Sequence, residues 1–590
     1  MKLIFKYLMK HKKFFFLNLI AIFAVAAAEL GIPLVISKII DETLPSSDLP
    51  LGNMDLLYKY ALYLGIVAIV GAIGNIVTNY ASVKTSTLIL VDIRNDVFRK
   101  VQTFAPEEIS QFGISSLITR TTSDVFQILN FVSTFYRVAF MAPALMIISL
   151  FLIAKNTPAL LPSTLISIPI VVIGIAIVVI ISKPLSERQQ LNLDHLNLVT
   201  RENLKGVRVV RAFRKSEYEA KRFEESNERY TSTAMKLFKL MTTTEPVFFF
   251  TLDVIVAITL YFAGQEVLNS GGTTLTIGNI TEFFDYQFLV MFSILNFSML
   301  FILFPRTMVS SKRISEVLDA DVSIKNKENA LTFVEKKGTL EFKNVSFKYT
   351  DGEVYVLKDI SFKAKKGDTV AFIGSTGSGK STLINLVPRL FNATEGEVLI
   401  DGVNVNDYEL SYLRSKIGFI PQKAILFEGT IADNIRFGKH DATIEEVMAA
   451  AKIAQAHDFI IGKENGYDDL ISEMGANLSG GQRQRISIAR AIIKNPDIYI
   501  FDDSFSALDF KTDAVLRKAL GEVSKNAITL IVAQRITSIV NADLIVVLNE
   551  GEIVCQGRHE DLIKSCEIYQ QIAASQLSEE EMKWKDYLVI

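Results

Sequence analysis

The sequence predicts a membrane α-helical domain of six transmembrane helices fused to an α/β domain built round a phosphate-binding loop. Three observations predict it. Mean hydropathy is +0.30 and charged residues make up only 21% of the chain, too apolar for an ordinary soluble protein. The excess lies upstream of about residue 310, in six apolar segments long enough to span a bilayer core, which takes about 20 helical residues. Third, Gly374-Ser375-Thr376-Gly377-Ser378-Gly379-Lys380-Ser381-Thr382 follows the apolar run Thr369–Ile373 and precedes Leu383–Val387. That order reads as strand, glycine-rich loop and helix start, with the spacing G-x-x-x-x-G-K-[ST].

At 590 residues the chain has room for several domains. A net charge of −2 argues against a nucleic-acid partner. The two cysteines, Cys555 and Cys566, both fall in the soluble half. They could form one disulfide, but in a cytosolic ATP-binding domain free, reduced thiols are expected.

Residues 1–319 read as the membrane domain. Lys2, Lys6 and Lys10 recur every four residues, opposite Leu3, Ile4, Tyr7 and Leu8. This predicts a basic amphipathic helix on an anionic membrane surface. A signal peptide is disfavoured, because the next apolar segment is too long and no small-residue cleavage site closes it. Spans are expected near Phe14–Ile40, Leu56–Ala81, Phe131–Ala154, Ala159–Ile181, Pro246–Val267 and Phe283–Phe304. The first outer loop carries Asp41, Glu42, Asp48 and Asp55, and Gln265–Glu282 has no Lys or Arg. The segments Ser82–Asn130 and Ser182–Glu245 are rich in both, so they face inward and both termini are expected in the cytoplasm. Their helical periodicity predicts membrane helices continuing into the cytosol, bridged near Pro106–Phe112 and Gly206–Phe213. Such bridges could contact an ATPase domain or simply close solvated hairpins. Ionisable groups inside the spans are few and include Glu29, Asp253 and Asp285. Glu29 could sit near the outer headgroups. Asp253 and Asp285 are candidates for touching substrate, with buried packing as the alternative.

Residues 320–337 are polar and aperiodic and read as a linker. From 338 to 573, apolar strand-like runs alternate with helical patterns, an α/β domain. The charged tail, 574–590, holds the only Trp, Trp584.

Within the α/β domain, the glycines let successive backbone N–H groups converge on one anion. Lys380 would reach the outer phosphates of a nucleotide, and Ser381 would ligate Mg²⁺. Ile498–Phe501 is an apolar strand ending in Asp502, a carboxylate placed to hold Mg²⁺. Leu478-Ser479-Gly480-Gly481-Gln482 opens the helical stretch Arg483–Ile493, a second anion-binding helix start. Gln422, after Ile420-Pro421, could sense a γ-phosphate and join the metal's ligands. Tyr349 could stack on adenine. Ser506-Ala507-Leu508-Asp509 follows Asp502.

Together, Tyr349, GSTGSGKST, Gln422, Glu473, LSGGQ, the Asp502 strand and SALD resemble the nucleotide-binding domain of ABC transporters. With six spans fused N-terminal to it, nearly the whole chain resembles an ABC exporter half-transporter. The resemblance implies ATP and Mg²⁺ as cofactors and a head-to-tail dimer. Each ATP would lie between one chain's phosphate loop and the other's LSGGQ. It also implies coupling helices at the inner loops, the one near Gly206–Phe213 reaching the partner, and alternating access driven by ATP.

Two positions depart from the family. A catalytic Glu normally follows the strand-end Asp, and this chain has Asp503. A His normally follows the late apolar strand, and this chain has Gln534. Asp503 is one methylene short, and a misplacement of about an ångström can lower a rate on the order of a hundredfold. Gln534 can act neither as an acid nor as a cation. The pair predicts a site that binds ATP and hydrolyses it poorly. LSGGQ is intact, which points to a different partner chain, as in heterodimeric bacterial multidrug exporters. The expected activity is ATP-driven export of amphipathic small molecules across the cell membrane, with membrane lipids around the spans. The alternatives are a homodimeric lipid or peptide exporter, and a nucleotide-gated sensor without flux. No peptidase domain precedes the first span, which disfavours processed-peptide export.

Overall fold

The computed structural model describes residues 1–43, 53–270, 275–335, 337–350 and 352–576. Asp48, part of Gln265–Glu282 and the tail with Trp584 lie outside the described residues. The chain divides into two units. One holds Met1–Gln102 and Gly113–Ala320; the other holds Thr103–Phe112 with the residues from Asp321 onward.

The first unit is helical: α1 (Lys2–Lys10), α2 (Lys12–Thr43), α3 (Met54–Gln102), α5 (Ile114–Thr119), α6 (Val125–Val138), α7 (Met141–Asn156), α8 (Leu161–Ala212), α9 (Ser216–Ser270) and α10 (Ile277–Leu318). Helix α4 (Pro106–Phe112) belongs to the second unit. Six helical segments among the described residues are long and apolar enough to cross a membrane. Three of them are much longer than a span: 49 residues over Met54–Gln102, 55 over Pro158–Ala212 and 53 over Ser216–Leu268. Their charged ends continue the same helices, as the periodicity predicts.

Two expectations need correction here. The apolar face of α1 does not lie free for lipid. Leu3, Ile4, Tyr7 and Leu8 are buried, and Tyr7 Oη donates to Asp96 Oδ2 of α3 at 2.6 Å. His11 Nε2 pairs with Asp92 Oδ2 at 3.1 Å, so the helix docks on its own chain. The second inner bridge is also absent as a separate element. Helix α8 runs through Gly206 to Ala212, and the chain reverses at Phe213–Lys215. The reversal is closed by Phe213 N–H to Val209 O at 2.9 Å and Lys215 N–H to Val210 O at 2.9 Å. Arg214 supplies the left-handed residue, with φ of +53°.

Between α5 and α6 the backbone widens into a π-helical turn, Arg120–Asp124, a device common at functional positions. Buried Asp124 accepts from Ser310 Oγ at 2.8 Å and faces Arg313 Nη1 of α10 at 3.2 Å, an ion pair rather than an aligned hydrogen bond. Arg120 pairs with Glu316 at 3.0 Å. Nothing in the hydropathy pattern marked this joint.

The second unit is α/β. Its strands are β1 (Thr339–Phe347), β2 (Leu357–Lys365), β3 (Thr369–Gly374), β4 (Glu395–Ile400), β5 (Val403–Asn404), β6 (Ile417–Ile420), β7 (Gly429–Thr430), β8 (Leu470–Ile471), β9 (Ile498–Asp502), β10 (Ile528–Val532), β11 (Leu544–Asn549) and β12 (Glu552–Gly557). Its helices are α11 (Lys380–Leu386), α12 (Leu410–Ser415), α13 (Ile431–Arg436), α14 (Ile444–Ile453), α15 (His457–Ile461), α16 (Gly480–Ile492), α17 (Phe510–Ser524), α18 (His559–Ser565) and α19 (Glu567–Ala574). The main sheet has the order β12-β11-β3-β10-β9-β6. All neighbours are parallel except the edge pair β11–β12. The strands β3, β9 and β10 are apolar runs because both faces are covered. An antiparallel sheet, β2-β1-β4-β5, shares a core with it through Phe342, Phe362 and Phe372.

Segment 321–335 has no regular element, yet it is strapped down rather than loose. Val322, Ile324 and Val334 are buried, and Arg389 Nη2 donates to Lys325 O at 3.0 Å. Glu108 of α4 accepts the Ser323 N–H at 2.7 Å. The cysteines are also a correction: Cys555 and Cys566 form a disulfide, not free thiols. Strand β12 and the start of α19 bring their Cα atoms to 6.3 Å, within bridging range. Sequence spacing alone carries no such distance.

Candidate functional site

The parallel strands β3, β9, β10 and β6 end on one edge of the main sheet, where α/β proteins of this kind bind ligands. Each end delivers a candidate residue. The loop after β3 carries Gly374 to Gly379. Gly374 has φ of +155°, and a Cβ there would meet Leu548 O at 2.0 Å. Gly379 has φ of +94°, and its Cβ would meet Leu357 and Val356 at 2.8 and 2.9 Å. A Cβ on Gly377 would meet nothing within 4 Å, so the loop is open on that side.

Lys380 Nζ lies over this loop, donating to Gly374 O at 2.9 Å, Ser375 O at 2.7 Å and Ser378 Oγ at 3.2 Å. Burial pushes its ammonium below the ordinary lysine value, opposed by Asp503 and Asp502. Ser381 Oγ donates to Asp502 Oδ1 at 2.7 Å, so a hydroxyl and a carboxylate from two elements meet. These are hard oxygen donors of the kind Mg²⁺ takes. Among the described residues no group of three or more His, Cys, Asp or Glu could hold a metal by itself. A cation here would therefore share the nucleotide's phosphates. The donor set fits Mg²⁺ and a nucleotide.

Asp502 and Asp503 are 9% and 8% exposed, and burial raises the pKa of each above the usual carboxylate range. Asp503 is left-handed, with φ of +48°, an uncommon conformation for a residue with a side chain. Its N–H donates to Val532 O at 3.0 Å, and its carbonyl accepts from Ser506 Oγ at 2.9 Å. Two side-chain amides converge on one carboxylate oxygen. Gln534 Nε2 donates to Asp503 Oδ2 at 2.7 Å, and Gln422 Nε2 donates to the same atom at 3.1 Å. Sequence reading placed both glutamines in the site but did not foresee that they share Asp503, since they follow different strands.

Tyr349 follows β1 and packs edge-on against Phe347 and Phe391, at 4.9 and 5.4 Å between ring centroids. Its hydroxyl meets Thr382 Oγ1 at 3.0 Å, which ties it to the phosphate loop. Ser375 and Thr376 complete that loop.

LSGGQ opens α16. Ser479 Oγ accepts the Gln482 N–H at 3.2 Å, and Gln482 Oε1 accepts the Ser479 N–H at 3.0 Å, a reciprocal capping box. Gly480 is exposed, and Gly481 packs close to Ala507 O, which a Cβ would approach to 3.2 Å. Among the described residues no hydrogen bond or ion pair joins these four positions to the Lys380–Asp503 cluster. Asp253 and Asp285 belong to the helical unit. Asp253 is exposed on α9 and Asp285 half-buried on α10, next to buried Glu282, which accepts from Asn156 Nδ2 at 2.8 Å.

Fold and site define a class: a P-loop ATPase domain carried by a membrane domain of six candidate spans. The chain belongs to the ABC transporter family, matching its transmembrane region over residues 15–302 and its ATP-binding domain, described as ABC transporter, over 357–506. It is 35% identical over 554 residues to an uncharacterized ABC transporter ATP-binding protein of Bacillus subtilis, covering 94% of this chain and 95% of that one. It is 32% identical over 568 residues to a Staphylococcus aureus ATP-binding/permease protein whose name gives it a provisional role in multidrug export, covering 95% and 97%. A solved bacterial Atm1-family ABC exporter with ATP bound has the same fold, with a TM-score of 0.78 at 23% identity over 95% of this chain and 98% of that one. The chain is thus an ABC half-transporter with the fold of an exporter, a multi-pass membrane protein and an ATP-hydrolysing transporter.

Proposed function

We propose that this chain is the slow-site half of a heterodimeric exporter of amphipathic small molecules. The carrying observation is the pair of amides on Asp503 Oδ2, from Gln534 at 2.7 Å and Gln422 at 3.1 Å. The short carboxylate is occupied by two neutral donors, and no imidazole stands where one is usual for the family. A base held in this way is poorly placed to orient water, while the binding elements around it are complete. Ser381, Asp502 and Gln422 would hold Mg²⁺, which supplies charge neutralisation at the phosphates. Tyr349 would stack on adenine, and Gly374 to Thr382 would cradle the phosphates. Ser479 to Gln482 would serve the partner chain's ATP, with both termini in the cytoplasm. The multidrug-type relative supports the substrate class.

One comparison tests the reading: hydrolysis by the chain alone, by the complex, and by the complex carrying Asp503→Asn. The substitution is expected to lower steady-state turnover of the complex by less than about twofold. The same change at the partner's catalytic carboxylate should lower it by orders of magnitude. Strong activity of the isolated chain that collapses with Asp503→Asn would establish the homodimer instead.

A further inference from the structure

Gln534 sits on a turn after β10 whose backbone is bonded at two points by a single side chain. Gln576 Oε1 accepts the Ile536 N–H at 2.9 Å, and Gln576 Nε2 donates to the Gln534 carbonyl at 2.8 Å. The Gln534 side chain then reaches Asp503 at 2.7 Å. Gln576 is exposed, but the element before it is anchored. Gln576 follows α19, whose Tyr569 and Ala573 are fully buried in one apolar cluster with Ala533, Ile536 and Ile539. Its own N–H donates to Ala573 O at 3.0 Å. Tyr569 Oη pairs with His559 Nδ1 at 2.7 Å, and Cys566 ties the start of α19 to β12.

We propose that Gln576 is a positioning residue for the nucleotide site: it fixes the Gln534–Ile536 backbone so that the Gln534 amide stays on Asp503, and so sets how long nucleotide dwells on this chain. A glutamine suits the task because one planar amide offers a donor and an acceptor together. Glutamate keeps the acceptor for Ile536 but has no donor for the Gln534 carbonyl. The inference applies to one chain's own site, so it holds for a homodimer as for a heterodimer.

The test uses the full-length complex in membranes, loaded with photoreactive labelled ATP and chased with unlabelled ATP. Gln576→Met removes both hydrogen bonds at similar length, and Gln576→Glu removes the donor alone. Each lost hydrogen bond is a factor of about five, so release from this chain is expected to quicken at least about fivefold in both variants. A merely structural role is separated by repeating the substitutions with Gln534→Ala. With no side chain left to position, they are expected to change release by less than about twofold, the non-additivity of residues acting through one another. Should Gln576→Met fail to assemble, Gln576→Glu carries the same comparison. Unchanged release in the assembled variants, or equal acceleration with and without the Gln534 side chain, overturns the proposal.

Discussion

A side chain at Gly374 would have nowhere to go. The obstructing atom is the Leu548 carbonyl oxygen on the neighbouring strand, 2.0 Å from the Cβ position. Leu548 is paired with Gly374 in the β3–β11 ladder, so it cannot give way without breaking that ladder. Gly374→Ala is therefore expected to cost about 1–3 kcal/mol in local strain and to reduce labelled-ATP crosslinking to this chain several-fold. Crosslinking at the level of the unaltered chain would show that the turn tolerates a side chain. The motif itself was legible, because its spacing encodes a backbone that must curl. Which glycine is sterically compelled was not, because the clash comes from a strand far along the chain.

The joint between the π-helical turn and α10 left no mark in the hydropathy pattern, yet two ion pairs, Asp124–Arg313 and Arg120–Glu316, hold it. Asp124 is buried, and Arg313 is its nearest counter-charge at 3.2 Å. Arg313→Ala leaves that carboxylate with the Ser310 hydroxyl and without its ion-pair partner; because Arg313 is itself about one-third exposed, the loss is about 1–3 kcal/mol. Expected is a clear fall in the thermal inactivation temperature of the detergent-solubilised complex, partly recovered by the double exchange Asp124→Asn with Arg313→Gln. An unchanged inactivation temperature in Arg313→Ala would mean that water already solvates Asp124. Helix α1 was predicted as an element from the four-residue lysine period, and it forms. Its surroundings were not, because an amphipathic face looks the same whether lipid or another helix covers it.

At the scale of the whole transporter, two predictions concern what lies outside this chain. Ser479 caps α16 in its own chain and is proposed to serve the partner's ATP. Ser479→Arg would set a cation and a bulky stem at that helix start. It is expected to reduce hydrolysis by the complex at least about tenfold while leaving ATP labelling of this chain intact. Full hydrolysis in that complex would contradict a head-to-tail arrangement. The second concerns substrate. If Asp253 or Asp285 meets it, Asp→Asn should lower transport of cations several-fold and spare neutral compounds, since shape is kept and attraction removed. Equal losses for both would assign the carboxylates to packing.

By itself the sequence determined the division into an apolar helical part and an α/β part, the six candidate spans, and the glycine-rich loop motif with the Asp502 strand and LSGGQ. These follow from local periodicity and spacing, which need no knowledge of what lies across the fold. It also exposed the paired departure at Asp503 and Gln534. Only the tertiary structure decided that Gln422 and Gln534 share one carboxylate oxygen and that Gln576 holds the Gln534 turn. The same is true of the Cys555–Cys566 bridge, the burial of α1 and the point where α8 reverses into α9. Each depends on groups distant along the chain meeting within a few ångströms, and hydrogen bonds and contact packing act only at that range. A pattern of residues fixes which face an element buries; what that face meets is set when the elements pack.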